Sequence, residues 1–349
     1  MARSVEKSKY WWTLFNDAVI LLILTAGVVI LIYGVPGFND KQTDEPYSLE
    51  KQSQLEADEA NFPLIGSYYH VDTLEHYSLG QFDQGGLLIQ VAHYTDARDK
   101  PYSAIVYEPA ALANTTEITP LETQLQALRQ QAWNTAFNSI RQGSDQNSLF
   151  LTWWDNAQRV HLYTGRNTWA QAPLAEAFSS TEERALWHQL GGGFADNDEH
   201  LKQLARWLSM DAEQALDEIR TRIQQPEYYF LVSMDDLVRL SEISALSGQT
   251  LPFETRLFSP GDNIHTLISG VKQWANEKGN GHYLVQKLPA GRVRAWRISR
   301  AEGENTLLAR LLPFTASLAN PLSGTELVYR SSDWSGYLSV HRISPVHPL

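Results

Sequence analysis

The chain has no cysteine in 349 residues. That excludes disulfides, thiolate metal sites, cysteine nucleophiles and covalently attached c-type haem, whose attachment needs two thiols. Positive charge is also in short supply. Lys and Arg number 28 against 40 Asp and Glu, a formal net charge of −12. Such a balance argues against nucleic acid as a partner, because phosphate neutralisation needs clustered cations, and against strong adsorption to anionic lipid. Catalytic signatures are missing as well: there is no G-x-S-x-G elbow, no H-E-x-x-H and no glycine-rich fingerprint after a strand. Gly191-Gly192-Gly193 follows a helical pattern instead of opening one, and no GKS/T comes after it, so it does not read as a phosphate loop. No internal repeat is evident.

What is present is a globular composition, 43% hydrophobic and 19% charged, in a chain long enough for two domains. One long apolar run stands out. Ala18 to Val35 is eighteen uncharged residues, preceded by Trp11, Trp12 and a flank with Arg3, Lys7 and Lys9 against Glu6. Counted from Trp11, the segment reaches the ~20 residues a transmembrane helix needs. The basic flank predicts a cytoplasmic N-terminus, with Trp11, Trp12 and Tyr33 at the interfaces. A cleaved signal peptide is the rival reading, but Tyr33-Gly34-Val35-Pro36 is a poor small-x-small cleavage site. The expectation is a bacterial inner-membrane protein, single-pass, in contact with the bilayer through residues 11–35 and with its main domain in the periplasm.

Residues 39–60 carry seven acidic side chains against two lysines, with Pro46 breaking the middle; they read as a solvated linker or a loosely held helix. From residue 61 the pattern turns β-like. Ser67–Tyr77, Gly86–Tyr94 and Tyr102–Tyr107 are strand candidates that contain His70, His76 and His93. Those histidines could ligate a metal but lack the i, i+4 spacing of a helical site, and half-buried strand histidines are the plainer reading. Thr119-Pro120-Leu121-Glu122 predicts a capped helix running to Gly143. Ser180-Thr181-Glu182-Glu183 is a second capping box, and Asp198–Leu208 and Asp211–Gln225 are further helices. Tyr228–Ser233 reads as a buried strand. Ser233 or Asp235 would cap the next helix, which Gly248 closes, and Asp262 would cap residues 263–277. Tyr283–Leu288, Arg292–Ile298 and Tyr337–Ile343 complete the strands, with Glu326–Arg330 a possible edge. Asp235-Asp236 reads as a solvated helix start, since adjacent helical residues point apart.

The architecture expected is α/β: a single N-terminal transmembrane helix, then a small β-rich unit and a mixed α/β domain. The boundaries are 1–36 for the cytoplasmic tip and anchor, 37–60 for the acidic linker, 61–115 for the β-rich unit and 116–349 for the mixed domain. Alternation of strands and helices from Leu149 to Ser247 implies a partly parallel sheet, with an antiparallel tail.

The stretch with most chemistry is Leu149–Phe178. Leu149–Trp154 reads as a short buried strand, Asp155 as the N-cap of a helix over Asn156–Thr164, and Gly165 as its left-handed C-cap. On a strand Trp153 and Trp154 would point to opposite faces. One would enter the core and the other would face a crevice beside Asp155, Arg159 and Trp169, at the strand end where open sheets bind ligands. The candidate binding residues are therefore Trp153, Trp154, Asp155, Arg159, His161, Asn167 and Trp169. The plainer alternative is that both tryptophans are core and Asp155 is only a cap. His161 could serve acid–base chemistry or simply be packed. No catalytic residue, metal ligand or cofactor site is assigned, and whether the chain is an enzyme stays open.

Two resemblances attach to these residues. Trp153-Trp154-Asp155, Gly165-Arg166-Asn167-Thr168-Trp169, Ser180–Glu183 and Tyr228–Val232 follow an order similar to that in catalytic subunits of asparagine-linked oligosaccharyltransferases. There a Trp-Trp-Asp-Tyr-Gly motif recognises the hydroxyl residue of the acceptor peptide. The resemblance implies peptide binding by Trp153, Trp154 and Asp155, or an enzyme acting on a glycan or modified peptide. Asn156-Ala157 departs from the Tyr-Gly of that motif, and one expected span cannot build the family's multispanning membrane site. Over essentially the whole chain, the anchor, acidic linker, lack of cysteine and LTWWDNAQRVHLYTGRNTW stretch resemble the hydroxylamine oxidation protein HaoB family, encoded beside hydroxylamine dehydrogenase in ammonia- and methane-oxidising bacteria. This second resemblance implies an envelope accessory protein, with hydroxylamine dehydrogenase or its associated cytochromes as partners.

Overall fold

The computed structural model describes residues 49–56, 65, 68–79, 87–107, 120–178, 180–195, 199–259, 263–277, 280–288, 291–332 and 337–344. The expected anchor, the first part of the acidic stretch and Thr119 lie outside them. Among the described residues no helix is long and apolar enough to cross a membrane.

Tyr47–Leu349 forms one compact unit of mixed α/β architecture with three sheets. The first sheet is antiparallel and takes its strands in chain order: β1 (Leu49–Glu56), β2 (His70–Leu79), β3 (Leu87–Thr95) and β4 (Pro101–Val106). β1 corrects the reading of residues 49–56 as linker or loose helix. It is the end strand of its sheet and pairs with β2 along one side.

The second sheet has five strands in the order β11 (Thr325–Arg330), β12 (Leu338–Ile343), β7 (Tyr228–Ser233), β5 (Leu149–Leu151) and β6 (Asn167–Thr168). β5 runs parallel to both β6 and β7, whereas β12 runs antiparallel to β7 and β11. The expected mixture of parallel centre and antiparallel tail is what forms. All six residues of β7 are buried, as an unbroken Tyr-Tyr-Phe-Leu-Val run in a covered central strand requires. The third sheet sets β10 (Val293–Ile298) between β8 (Phe253–Phe258) and β9 (Tyr283–Lys287). The sequence reading had passed over β8.

The helices follow their signals closely. α1 spans Pro120–Gly143, with Pro in the first turn where a missing N–H costs nothing. α2 is Trp154–Thr164, and its C-cap Gly165 has φ +67° and donates its N–H to the His161 carbonyl. α3 (Thr181–Gln189) is capped by Ser180, whose hydroxyl accepts the Glu183 N–H. α4 (Glu199–Ser209) and α5 (Ala212–Arg222) follow, the latter capped by Asp211. A 3-10 turn over Met234–Leu237 carries a complete capping box from Ser233 and Asp236, and α6 (Leu240–Ser247) then ends at left-handed Gly248. α7 is Ile264–Glu277. Its first turn is capped by Asn263, whose Oδ1 accepts the Thr266 N–H at 2.9 Å; Asp262, expected in that role, lies outside the described residues.

The largest hydrophobic cluster spans several elements, and smaller ones lie around Tyr69 and Tyr94 and around Trp274. Ile89, Val91, Ile105 and Tyr107 from the first sheet share the largest with Trp133 and Phe137 of α1, with β5 and β7, and with α4 and α5. The glycine triplet after α3 is a packing device. A Cβ on Gly192 would come 2.2 Å from the Trp187 ring, and the Trp187 indole N–H donates to the Gly193 carbonyl at 3.0 Å.

At Gly165 a side chain meets two obstacles: the positive φ, and the Tyr68 ring 2.6 Å from the Cβ position. Gly165→Ala should lower unfolding free energy by about 1–3 kcal/mol, the range for a non-glycine residue held left-handed. Chemical denaturation checks this, and an unchanged midpoint would show that the turn relaxes.

Candidate functional site

α2 is almost entirely buried, yet its sequence is WDNAQRVHLYT. A helix buried on all sides is ordinarily apolar all round, so each polar side chain here needs its own partner. Gln158 takes the Ile105 N–H on its Oε1 at 2.8 Å and donates to the Gln171 carbonyl at 2.8 Å. It thereby satisfies the outer edge of β4. Arg159 donates to the Tyr107 carbonyl at 2.8 Å and lies 4.4 Å over the Trp133 ring. Asn156 donates to Asp236 at 3.1 Å and to the Ser233 hydroxyl at 3.4 Å.

Asp155 faces the most charged point of the interior, the Arg239 guanidinium. Arg239 donates through Nε to Asp155 at 3.2 Å, and through one terminal nitrogen to Glu183 at 2.8 Å and Glu242 at 2.6 Å. Tyr107 donates its hydroxyl to Glu183 at 2.6 Å, and the Trp153 indole N–H donates to Glu242 at 3.3 Å. Arg239 itself lies 5.0 Å over the Trp154 ring. Arg239 and the Asp155, Glu183 and Glu242 side chains are all buried. One cation thus joins α2, α3 and α6 through three carboxylates.

Burial opposes the Arg239 charge, but Glu242, Glu183 and Asp155 outweigh it and hold its pKa above the ordinary value. The acids carry the cost. Burial lifts Glu242 to about 7 against the opposing pull of Arg239, with Glu183 adding to the rise. Burial, then the Asp155 charge, pushes Asp236 well above the usual carboxylate range, although the Ser233 N–H favours its ionised form. Tyr107 is raised well above 10.0 by burial and next by Glu183.

This cluster lies beyond the C-terminal ends of parallel strands β5 and β7, where open sheets place ligand crevices. Here the protein's own arginine fills that place. The expected alternation of the tryptophans does not occur, because the strand stops at Leu151. Trp153 is the N-cap position of α2 and Trp154 its first residue. Both rings are core, 1% and 0% exposed, and Trp154 packs edge-on to Trp187 at 5.0 Å. Asp155 is a first-turn residue rather than the cap. Asp235 and Asp236, expected in solvent, are 1% and 2% exposed. Asp236 closes the capping box and Asp235 accepts the Tyr337 hydroxyl.

The other candidates lie apart. His161 is buried against the first sheet, its ring 5.3 Å from Tyr69, 6.2 Å from Tyr94 and 5.2 Å from Tyr102. Its Nδ1 is 3.0 Å from the Arg166 carbonyl, and burial lowers its pKa despite that carbonyl. Trp169 is half-buried, 4.1 Å from the His200 ring and 5.6 Å from Trp207, with its indole N–H on the His200 carbonyl. Asn167 is exposed and reaches the Asn147 carbonyl. The structure therefore brings Trp153, Trp154 and Asp155 to one point and leaves Arg159, His161, Asn167 and Trp169 elsewhere. His70, His76 and His93 also have separate neighbours: Asp72, Gln90 and Ser103. Among the described residues no group of three His, Cys, Asp or Glu is placed to hold a metal ion.

Sequence reasoning missed Tyr107, Glu183 as an ion partner, Arg239 and Glu242. A signal existed in Leu237-Val238-Arg239-Leu240-Ser241-Glu242-Ile243, where helical spacing puts Arg239 and Glu242 on the stripe of Ile243.

Residues 15–343 match the family described as HaoA-associated protein HaoB. No curated protein matches the sequence. Two solved structures share part of the chain trace. The C-terminal domain of C. jejuni pglb is 13% identical, with 61% of this chain and 99% of that chain covered and a TM-score of 0.38. The C-terminal globular domain of an oligosaccharyltransferase from Archaeoglobus fulgidus is 10% identical, with 61% and 97% covered and a TM-score of 0.31. Nothing about activity follows from likeness at that level.

Two outcomes test the ion cluster. Arg239→Leu leaves three buried carboxylates uncompensated and should cost about 3–5 kcal/mol, read by denaturant unfolding. Between the ordinary carboxyl value of 4.5 and about 7, native Glu242 keeps a proton that the unfolded chain releases. Stability should therefore fall as pH rises through that window and level off above it. Glu242→Gln should flatten this slope by an amount on the order of 2 kcal/mol, with Asp236 contributing equally to both proteins. Parallel stability–pH curves for the two would contradict the raised Glu242.

Proposed function

This chain belongs to the HaoA-associated protein HaoB family, and from that membership we propose that it is an accessory protein of hydroxylamine oxidation that binds hydroxylamine dehydrogenase or helps assemble it. The single observation carrying the reading is the extent of the match, residues 15–343, which takes in nearly every described element. Two features of the sequence support it. A chain without cysteine holds no covalent haem of its own, so its part is to handle a redox enzyme rather than to carry electrons through c-type haem. A basic flank followed by eighteen uncharged residues suits a membrane anchor that keeps the folded unit in the periplasm.

The burial of Trp153, Trp154 and Asp155 alters how the partner would be held. These residues keep the interior closed, so recognition falls to the outer surface. With 40 acidic against 28 basic residues, long-range attraction favours a partner with basic patches, and such attraction weakens as salt screens it.

Affinity capture of the tagged full chain from detergent-solubilised native membranes should recover hydroxylamine dehydrogenase, with recovery falling as ionic strength rises. A variant in which a cleavable export signal replaces residues 1–36 should move from the membrane fraction to the soluble periplasmic fraction. Recovery of the enzyme no greater than with an unrelated anchored protein would overturn the partner assignment. Release of the full chain from membranes by salt alone would overturn the anchor.

A further inference from the structure

The three sheets present six outer strands, and among the described residues all but β8 carry a feature that discourages further pairing. The ladders of β1 and β11 each contain a register shift, which takes an edge out of line. Gln158 occupies the Ile105 N–H of β4, β6 is only two residues long, and Thr315 occupies the Tyr283 N–H of β9. β8 has none of these. Its ladder with β10 runs through six residue pairs without a break, and Glu254, Thr255, Arg256 and Leu257 are exposed in succession. Leu257, a large apolar side chain, is 56% exposed.

Which backbone groups of β8 face outward follows from its pairing with β10. The Ser299 N–H donates to the Pro252 carbonyl at 2.8 Å, and that pair continues the register in which Phe253 faces Ile298 and Glu254 faces Arg297. Hydrogen-bonded pairs alternate along an antiparallel ladder, so Glu254, Arg256 and Phe258 turn their N–H and C=O groups to β10. Phe253, Thr255 and Leu257 turn theirs to the open side. The Phe253 N–H is held by the Leu251 carbonyl at 2.9 Å, which leaves its carbonyl and both groups of Thr255 and Leu257 for a further strand.

The side chains along this edge describe their own complement. Phe253-Glu254-Thr255-Arg256-Leu257 reads apolar, acid, hydroxyl, base, apolar. Laid antiparallel to itself about Thr255, the run sets Phe253 against Leu257 and Glu254 against Arg256, each twice over. The charged pairs fall at non-hydrogen-bonded positions, where opposed side chains come closest. Glu254 is half exposed although Arg297 holds its Oε2. Arg256 lies 5.2 Å over the Phe258 ring and makes no ion pair among the described residues. A parallel pairing in register, or an axis moved to Glu254 or Arg256, would set like charges opposite each other. The charges thus exclude other registers and select one. We propose that β8 is a homodimerisation edge, pairing antiparallel with β8 of a second copy about a two-fold axis at Thr255. The two Thr255 residues exchange N–H···O=C bonds, and each Leu257 N–H reaches the Phe253 carbonyl of the second copy. Such a contact is isologous, so it closes at two copies, and it is small, so association is reversible. It does not depend on the partner proposed above.

The test uses the purified full chain in detergent, with light scattering over a concentration series as the readout. A monomer–dimer equilibrium is expected. Arg256→Glu, which sets two acids against each other on both sides of the axis, should weaken it roughly tenfold or more, and Arg256→Lys should preserve it. The lack of native cysteine makes the register readable, because a single introduced thiol can pair only with its counterpart in another copy. Opposed residues at hydrogen-bonded positions lie about 5.5 Å apart at Cα, within disulfide range. Thr255→Cys should therefore give a disulfide-linked dimer under mild oxidation. Leu257→Cys, whose two copies would stand about 13 Å apart in this register, should not. A monomer at every concentration overturns the proposal, as does a dimer that Arg256→Glu leaves intact, or cross-linking of Leu257→Cys as fast as that of Thr255→Cys. A monomeric chain whose recovery of hydroxylamine dehydrogenase falls in Arg256→Glu would assign the edge to that enzyme, and equally overturns self-pairing.

Discussion

The Arg239 guanidinium is the constraint around which the mixed domain is arranged. Three helices that share no sequence neighbourhood each send it one carboxylate: Asp155 from α2, Glu183 from α3 and Glu242 from α6. Desolvating four charged groups is expensive, and mutual attraction offsets it only when geometry and secondary hydrogen bonds are complete. Tyr107 and the Trp153 indole supply those secondary bonds. The arrangement nevertheless sets three carboxylates against a single cation. Acids outnumber the central arginine, so the shortfall appears in Glu242 and Asp236, whose ionised forms are disfavoured. Protonation of the weakest acid therefore substitutes for a missing cation.

The same cluster explains how a polar helix comes to be buried. α2 lies between the first and second sheets, and a purely apolar helix there would satisfy neither the open edge of β4 nor the turn after β7. Gln158 answers the first need, and Asn156 answers the second through Ser233 and Asp236. His161 meets the tyrosines of the first sheet on the remaining side. Specific polar contacts fix the rotation of α2 about its axis more sharply than apolar packing, because a small turn would leave several buried groups without partners at once. The β-rich segment consequently lends Ile89, Val91, Ile105 and Tyr107 to the main core, while its Tyr69 and Tyr94 form a second cluster with Leu162 of α2.

Much of the backbone was legible from the sequence, because local chemistry sets it. Gly165 and Gly248 end helices in the left-handed conformation, Ser180 caps α3, Pro120 opens α1, and the Tyr228–Ser233 run is a covered strand. The site was less legible because its partners are remote in sequence. Asp236 meets Asn156 across 80 positions and Asp235 meets Tyr337 across 102. Seen locally, two adjacent aspartates at a helix start look solvated; only the tertiary fold supplies the N–H, amide and hydroxyl groups that allow burial. Similarly, the reading of Trp153 and Trp154 turned on where a strand stops. Ending β5 at Leu151 instead of Trp154 exchanges a two-residue period for a helical one, and the ring expected in a crevice enters the core.

A tryptophan pair beside an aspartate at a strand's end carries the marks of a ligand site: bulk, a flat face and a fixed charge. The same features are what a closed interior needs at that place. Parallel strands leave a gap past their C-terminal ends that large side chains must fill, and an arginine brought in to fill it requires carboxylates and aromatic faces around it. Trp154 provides the face, Asp155 the charge and Trp153 the donor for the second carboxylate oxygen of Glu242. The faces of both rings and the Asp155 carboxylate are consumed internally. By contrast, Gln286 and one oxygen of Asp235 belong to no motif, and among the described residues their hydrogen-bonding capacity is left over.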